Sequence, residues 1–327
     1  MYLRSAFLGL VLLLSGCSGH WLSFFGQDNS LVGRIWDVKG EKFISEHELI
    51  GRLGPADYVM LGEKHDNLDH HRLQAQVLRQ LYDFGRRPAV AFEMIDFDQG
   101  AALQDHLAAA PNDAPKAAKG IGKAVKWERT GWPDWEHYQP LAQAALAAGA
   151  PVVAANLPRR LSRAVGKEGY AALDAEFISS TGLDQPQPED IRLAVEKEIG
   201  VSHCGYLPKQ AVPAVARVQR AKDAAMAHSL RRAGASAVLI AGAGHARTDH
   251  GVPLVLRRMA PDARVLSLSF QEVHTGGNDS DTDPALYAES YLAERLPFDY
   301  VWFTPRRDTV DPCKRFKKQL QKFKKKS

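Results

Sequence analysis

Residues 57–65 read DYVMLGEKH, and two later segments share their design: residues 88–93 read PAVAFE and residues 236–245 read SAVLIAGAGH. Each begins with a short aliphatic run, which is typical of a strand buried on both faces of a parallel sheet. Each ends on a residue that can bind a metal or a proton. Ligands in open α/β sheets collect beyond the carboxyl ends of the strands, so these three ends predict a functional site.

The predicted site contains Glu63, His65, Glu93 and His245. Glu63 and His65 alternate on an extended segment and therefore share one side. Two imidazoles and a carboxylate can hold a transition metal, and a histidine that faces a carboxylate can act as a general base. A single histidine after a strand is more often a hydrogen-bonded structural residue, so the functional prediction requires all four side chains to meet.

Strand-like and helix-like segments alternate along the chain, which predicts an α/β fold with a largely parallel central sheet flanked by helices. From Arg159 to Arg232 no strand pattern occurs, and prolines separate the helical segments. This stretch predicts a helical insertion, at about 159–232, that covers a crevice. Strands are predicted at 57–61, 88–94, 151–155, 236–241, 263–270 and 300–303, and helices at 69–84, 97–110, 134–148 and 252–259.

The first residues predict export and lipidation. A short basic start precedes the apolar run from Ala6 to Leu14, which is too short to span a bilayer, and Leu14-Ser15-Gly16-Cys17 follows. This tetrapeptide resembles the bacterial lipobox, so residues 1–17 are predicted to be a lipoprotein signal peptide ending at Cys17. Cys17 would then carry acyl chains such as palmitate and tether residues 18–310, the α/β domain, to a membrane. Ser18 after the cysteine favours the outer membrane, facing the periplasm.

The net charge of +4 is misleading, because eight cations and no acid lie in the last fourteen residues. Without them the chain carries −4, which gives no support for nucleic-acid binding. In the tail at 311–327, Phe316, Leu320 and Phe323 recur at helical spacing among lysines, which predicts either an amphipathic helix on an anionic membrane or a solvated end. Cys204 and Cys313 can pair in an oxidising periplasm, but Cys204 can equally belong to a site beside His203.

Between Tyr58 and Phe270 the chain contains an ordered set of short motifs: Gly62-Glu63-Lys64-His65-Asp66-Asn67, Phe92-Glu93-Met94, Gly131-Trp132-Pro133, Tyr138-Gln139-Pro140, Ala154-Ala155-Asn156-Leu157-Pro158-Arg159, His203-Cys204-Gly205, the run from Gln219 to Ala227, Ala241-Gly242-Ala243-Gly244-His245-Ala246 and Gly251-Val252-Pro253. This set resembles the ChaN family of iron-regulated, haem-binding lipoproteins. The family is similar in its core to the TIKI metalloproteases and the erythromycin esterases.

The resemblance implies haem binding and a part in haem-iron uptake, by a homodimer that encloses two stacked haems with each iron ligated by a tyrosine. Tyr138 is the first candidate for that ligand, and Tyr206, beside His203, is the second. Arg159 is the preferred partner for a haem propionate. A haem-uptake receptor or transporter is an expected partner.

A second function stays open, because the same strand ends suit a metal-dependent hydrolase of the TIKI or erythromycin-esterase kind. In that hypothesis Glu63, His65 and His245 hold a divalent metal ion and Glu93 activates water. A hydrolase needs a compact polar pocket with two or three ligands on one ion, whereas haem needs a wide apolar slot with one axial donor. Whether the protein is an enzyme is left open by the sequence.

Overall fold

The computed structural model describes residues 21–109, 112–274, 282–288, 296–315 and residue 317. The predicted signal peptide and its Cys17 lie outside the described residues, as do Phe316 and residues 318–327 of the predicted basic tail. Lipidation and the amphipathic character of the tail therefore stay predictions.

The described residues form one eight-stranded sheet, with strands β1 (Ile35–Asp37), β2 (Lys42–Ile44), β3 (Tyr58–Glu63), β4 (Ala89–Asp96), β5 (Val152–Asn156), β6 (Ala237–Gly242), β7 (Val265–Glu272) and β8 (Tyr300–Thr304). Their order across the sheet is β2-β1-β8-β7-β3-β6-β4-β5. Strands β3 to β8 pair in parallel, whereas β1 pairs antiparallel with β2 and β8. The predicted α/β fold with a largely parallel sheet is confirmed.

All six predicted strands are present, and β3 and β6 at the centre of the sheet are buried at every position. This burial explains their unbroken aliphatic runs, because both faces of a central parallel strand are covered by helices. The sequence prediction missed β1 and β2, because strands of three residues are too short to show a period. It also ended β4 two residues too early, since the strand continues past Met94 to Asp96 through an irregular pairing with β5.

Helices cover both faces of the sheet, and four of them fill residues 159–232, where no strand occurs. None of the helices in the described part of the chain has the length and apolar character needed to cross a bilayer. The helices are α1 (Glu46–Leu53), α2 (Leu68–Asp83), α3 (Gly100–Ala109), α4 (Ala114–Ala124), α5 (Trp135–Ala147), α6 (Arg159–Glu168), α7 (Ala175–Thr181), α8 (Glu189–Ser202), α9 (Val212–Ala233), α10 (Ala243–Ala246), α11 (Val252–Met259) and α12 (Pro312–Arg315).

A disulfide joins Cys204, just after α8, to Cys313 in α12, with the two Cα atoms 5.7 Å apart. Of the two alternatives that the sequence left open for Cys204, the structure shows the pairing. The bond links positions 109 residues apart in the chain. Closing a loop of this size stabilises a fold by roughly 4.7 kcal/mol in the chain-entropy treatment, because it restricts the unfolded state. It also fastens the C-terminal segment to the helical insertion.

Candidate functional site

The carboxyl ends of β3, β6 and β4 lie side by side, because β6 is between the other two strands. Glu63 is opposite Gly242 in the pairing of β3 with β6, and the side chain of Glu93 accepts a hydrogen bond of 2.8 Å from the Gly242 backbone N–H. The four predicted side chains therefore meet, but they divide into two clusters, one around each glutamate.

The first group, here named the Glu63 cluster, consists of Glu63, His65, His71 and Tyr138. Glu63 Oε1 lies 2.8 Å from His65 Nδ1 and accepts a hydrogen bond of 3.0 Å from the Tyr138 hydroxyl. Glu63 Oε2 lies 3.0 Å from His71 Nδ1, in an ion pair that lacks hydrogen-bond geometry. The side chains of Glu63 and His71 are almost fully buried, whereas that of His65 is 29% exposed.

Charges inside this cluster oppose the effect of burial. Burial alone would raise the pKa of Glu63, but His71 and His65 hold the pKa of that carboxyl well below its ordinary value. Burial likewise lowers the pKa of both histidines, but Glu63 outweighs it and raises the pKa of each. Burial, and then the Glu63 charge, raise the pKa of Tyr138 far above its ordinary value. The tyrosine is therefore a neutral hydrogen-bond donor to a charged carboxylate.

The second group, the Glu93 cluster, consists of Glu93, His245 and Asp223. His245 lies between the two carboxylates, with Nδ1 2.6 Å from Asp223 Oδ1 and Nε2 3.4 Å from Glu93 Oε1. Glu93 Oε2 is also 3.8 Å from His65 Nε2, which connects the two clusters. His245 thus forms the centre of a carboxylate–imidazole–carboxylate line.

The carboxylates keep His245 charged. Burial lowers the pKa of His245, but Glu93 and Asp223 outweigh it and raise the pKa to about 10. Burial raises the pKa of Glu93, but His245 and His65, with the Gly242 N–H, bring that pKa down to about 2. For Asp223 burial prevails and the pKa is raised. A proton shared along this line near neutral pH stays on the imidazole, so His245 suits the role of acid or cation better than that of base.

Local sequence explains how these side chains are placed. Asn67 caps α2 by accepting hydrogen bonds from the backbone N–H groups of Asp69 and His70, which fixes the first turn that carries His71. Gly62 and Gly242 permit close packing: a Cβ on Gly62 would lie 2.8 Å from Ala246 Cβ, and one on Gly242 would lie 2.8 Å from His65 Nε2. Both glycines are needed for close approach and not for an unusual backbone angle.

A cavity of about 130 Å³ lies between the Glu93 cluster and the helical insertion. His245, Asp223 and Gly244 line it on one side, together with insertion residues that include Glu198 and His203. The Nε2 atom of His250, also in the lining, is 2.8 Å from Glu198 Oε2. The insertion therefore covers the Glu93 cluster, as the sequence predicted for a crevice.

Residues 49–256 match the sequence model of the family described as haem-binding uptake, Tiki superfamily, ChaN. The chain belongs to this family. The matched region contains every member of both clusters and ends within α11. The ChaN resemblance predicted from the sequence motifs is thereby confirmed.

Solved structures extend the comparison. The structure described as cofacial heme binding to ChaN of Campylobacter jejuni has a TM-score of 0.58 and 21% identity, over 82% of this chain and 95% of that chain. At this identity the similarity shows a shared fold. The type III effector HopBA1 has a TM-score of 0.41 and 17% identity over 79% and 91% of the two chains, and a mutant of the erythromycin esterase EreC in its open conformation has 0.39 and 14% over 74% and 77%. Among curated proteins, none matches the sequence.

The haem-contact residues predicted for a ChaN family member lie in different surroundings. Tyr138 is fully buried under Glu63, which does not favour it as an iron ligand in this conformation. Tyr206 is partly exposed in the loop after α8, and His203 Nδ1 lies 2.8 Å from the Ile199 carbonyl oxygen. Arg159, the first residue of α6, is exposed. The haem roles of all four stay predictions.

The predicted metal ligands Glu63, His65 and His245 do not form a metal centre in this conformation. Throughout the described ranges, no group of three or more His, Cys, Asp or Glu side chains is arranged to hold a metal ion. Instead, each glutamate is engaged by imidazoles, as the 2.8 Å contact of Glu63 with His65 and the 3.4 Å contact of Glu93 with His245 show. These carboxylates act as counter-charges for histidines.

Two members of the site had no assigned role in the sequence analysis: His71 and Asp223. Trp132 packs against the exposed edge of the site, with its ring centroid 4.6 Å from that of His65. Asp223 lies in α9, inside the motif from Gln219 to Ala227, and it was the only acid in a run otherwise rich in alanine. That isolated acid on a buried face was the available signal, because a buried carboxylate needs a partner.

Proposed function

We propose that this protein is a lipid-anchored, haem-binding protein of the outer membrane that faces the periplasm and takes part in haem-iron uptake as a homodimer. The observation that carries the proposal is the match of residues 49–256 to the haem-binding uptake family. The lipobox-like segment ending at Cys17 supports anchoring. The family resemblance supports the dimer, with a haem-uptake receptor or transporter as a further partner.

The cavity beside His245 is too small to enclose a porphyrin. At about 130 Å³ the cavity beside His245 is smaller than the roughly 300–1,000 Å³ of typical small-molecule pockets. A porphyrin would therefore lie across the mouth of the cleft and not inside it. A flat ligand placed there keeps one face open, and a second copy of the chain would cover that face. This arrangement makes dimerisation part of haem binding.

Exposure separates the two candidate tyrosine ligands. The buried Tyr138 donates a hydrogen bond to Glu63, and its raised pKa opposes the phenolate that ferric haem prefers. Tyr206 is partly exposed in the loop beside the cavity residue His203. We therefore favour Tyr206 as the axial ligand, with the exposed Arg159 as a candidate partner for a propionate.

A haem titration followed by the Soret band tests the proposal. The wild-type protein should bind haem with a Soret shift typical of tyrosine ligation. Tyr206→Phe should weaken binding by about tenfold or more, equivalent to about 1.4 kcal/mol, whereas Tyr138→Phe should change it less than threefold. An absence of any Soret change in the wild type would contradict haem binding, and the opposite order of the two variants would restore Tyr138 as the ligand.

Dimerisation and anchoring have separate readouts. Sedimentation velocity should show the mass rising from one chain to two as haem is added, and Tyr206→Phe should reduce that rise. Intact mass of the protein from outer-membrane fractions should show acyl chains on Cys17, and Cys17→Ser should release the protein from those fractions. A monomer at saturating haem would contradict the homodimer but would leave the proposal of haem binding intact.

The hydrolase remains the alternative, and one observation favours it. His245 lies between Asp223 and Glu93 and lines the cavity, which is a suitable arrangement for proton transfer. In this hypothesis Glu63, His65 and His245 bind a divalent metal ion after rearrangement and Glu93 activates water. Stoichiometric uptake of zinc or manganese, lost in His65→Ala and accompanied by no Soret change with haem, would favour this function.

A further inference from the structure

An exposed apolar patch lies at the carboxyl-end rim of the sheet, just beside the site. It consists of Leu22, Phe24, Phe25 and Leu68, which are 47%, 76%, 42% and 39% exposed. Three of the four are within four consecutive residues near the start of the described chain, and Leu68 begins α2. Large apolar side chains that are exposed together typically mark an interaction surface.

Hydrogen bonds hold this patch on the rim. The backbone N–H groups of Leu22 and Ser23 donate to the buried carboxylate of Asp69, at 3.0 and 2.8 Å. Phe25 forms an antiparallel bridge with Arg306, just beyond β8. The apolar side chains therefore project from a fixed backbone at the N-terminal end of α2, next to the loop that carries His65.

Cations surround the same rim. Asp66 is contacted by Lys64 and Arg315, at 3.5 and 3.0 Å, and also by Arg307. Lys64 also pairs with Glu272, and Arg315 with Asp308. The exposed Lys314 and Lys317 follow on the segment that the Cys204–Cys313 bond fastens to the insertion. An apolar patch with a surplus of cations beside it matches the interface of an anionic bilayer, where apolar side chains enter the headgroup boundary and cations meet phosphates.

Chain length supports the same partner. Leu22 follows Cys17 by five positions, so the two lie within about 17 Å of each other even in a fully extended chain. If Cys17 carries the proposed acyl chains, the patch is held beside the bilayer surface. We propose that this rim docks on an anionic phospholipid bilayer. This inference rests on the lipid anchor of the proposed function and adds the surface of the protein that meets the bilayer.

Labelling at two phenylalanines provides the test. Phe24 lies at the N-terminal end of α2 and Phe84 directly follows its C-terminal end, and both are exposed. With 16 residues, α2 separates the two ends by about 24 Å. Since Cys17 would be acylated and Cys204 is bonded to Cys313, Phe24→Cys or Phe84→Cys would supply the single free thiol for a spin label.

The labelled, lipidated full chain is reconstituted in vesicles of phosphatidylcholine and phosphatidylglycerol. The rate at which the label collides with oxygen, which partitions into the membrane, is then compared with the rate at which it collides with a nickel complex, which stays in water. The oxygen-to-nickel ratio at position 24 should exceed that at position 84 several-fold, and the difference should shrink in pure phosphatidylcholine. Far-UV circular dichroism confirms that both variants are folded.

The outcomes separate the inference from the proposed function. Equal, water-like ratios at both positions of a protein whose mass shows acyl chains would overturn the docking surface and leave the anchor intact. A higher ratio at position 84 would also overturn it, because the opposite end of α2 would then face the bilayer. A mass without acyl chains would overturn the anchor and the docking surface together, while haem binding would be judged by its own titration.

Discussion

The Glu63 cluster and the Glu93 cluster use the same chemistry in different surroundings. In both, a buried glutamate of the central sheet pairs with histidines and keeps a low pKa in spite of burial. In the Glu63 cluster, His71 and Tyr138 seal the carboxylate inside the protein. In the Glu93 cluster, His245 and Asp223 line a cavity.

This difference assigns the clusters different tasks. A sealed ion pair with a neutral phenol has no route to a ligand, so the Glu63 cluster stabilises the turn from which His65 projects. The Glu93 cluster can meet a ligand or solvent through the cavity, and its His245 is held as a cation. A 3.8 Å contact between His65 and Glu93 joins the two clusters. Function should therefore be more sensitive to His245, and stability more sensitive to His71.

The largest expected effect is on stability, from His71→Leu. This change leaves Glu63 buried without its strongest counter-charge, and breaking a buried ion pair in this way typically costs about 3–5 kcal/mol. Urea unfolding followed by circular dichroism measures the loss. The double variant Glu63→Gln with His71→Leu should lose less than the sum of the single changes, because no charge is then stranded. A loss of stability below about 1 kcal/mol in His71→Leu would contradict the stabilising role assigned to the Glu63 cluster.

A smaller effect, with a pH signature, is expected for His245→Asn. His245 faces two carboxylates, and hydrogen bonds to charged groups contribute about 1.5–3 kcal/mol each, so a loss of about 3 kcal/mol is expected near pH 6. The pKa of His245 is raised from 6.5 to about 10 on folding. Its contribution is therefore complete below pH 6.5 and declines as the pH rises toward 10.

The stability difference between wild type and His245→Asn should accordingly shrink from pH 6 to pH 10. His47→Asn is the matched control, because His47 is exposed on α1 and should change stability by less than about 0.5 kcal/mol at every pH. A difference for His245→Asn that stays constant across this range would show that the carboxylates do not hold a charged imidazole.

Much of the fold and the convergence of the site could be predicted from sequence, because both depend on local patterns. Aliphatic runs defined the central strands, and topology then forced Glu63, Glu93 and His245 to one edge of the sheet. The helical insertion was recognisable from the missing strand pattern. These features need no knowledge of side-chain partners.

The division into two clusters could not be predicted, because it depends on partners from distant helices. His70 and His71 are neighbours in sequence, yet burial and the charge of His71 lower the pKa of His70 to about 3, while Glu63 raises that of His71 against its own burial. His70 accepts a hydrogen bond from the Lys64 N–H and contacts Thr304 in β8. The buried position of Tyr138 could not be predicted either, because its hydrogen-bond partner Glu63 lies 75 residues away in the chain.

The smallest expected effects come from two glycine substitutions, and they compare the rigidity of the clusters. In Gly62→Ala the new methyl group meets Ala246 Cβ at 2.8 Å and the Ala243 Cα at 3.1 Å, so the backbone of α10 must move. Overpacking of this kind costs about 1–3 kcal/mol. In Gly242→Ala it meets the His65 imidazole instead, which is 29% exposed and can turn outward at lower cost. Urea unfolding should therefore show the larger loss for Gly62→Ala, whereas the His65 imidazole resonances should shift more in Gly242→Ala. Equal losses of stability in the two variants would mean that the side chain of His65 is held as firmly as the backbone of α10.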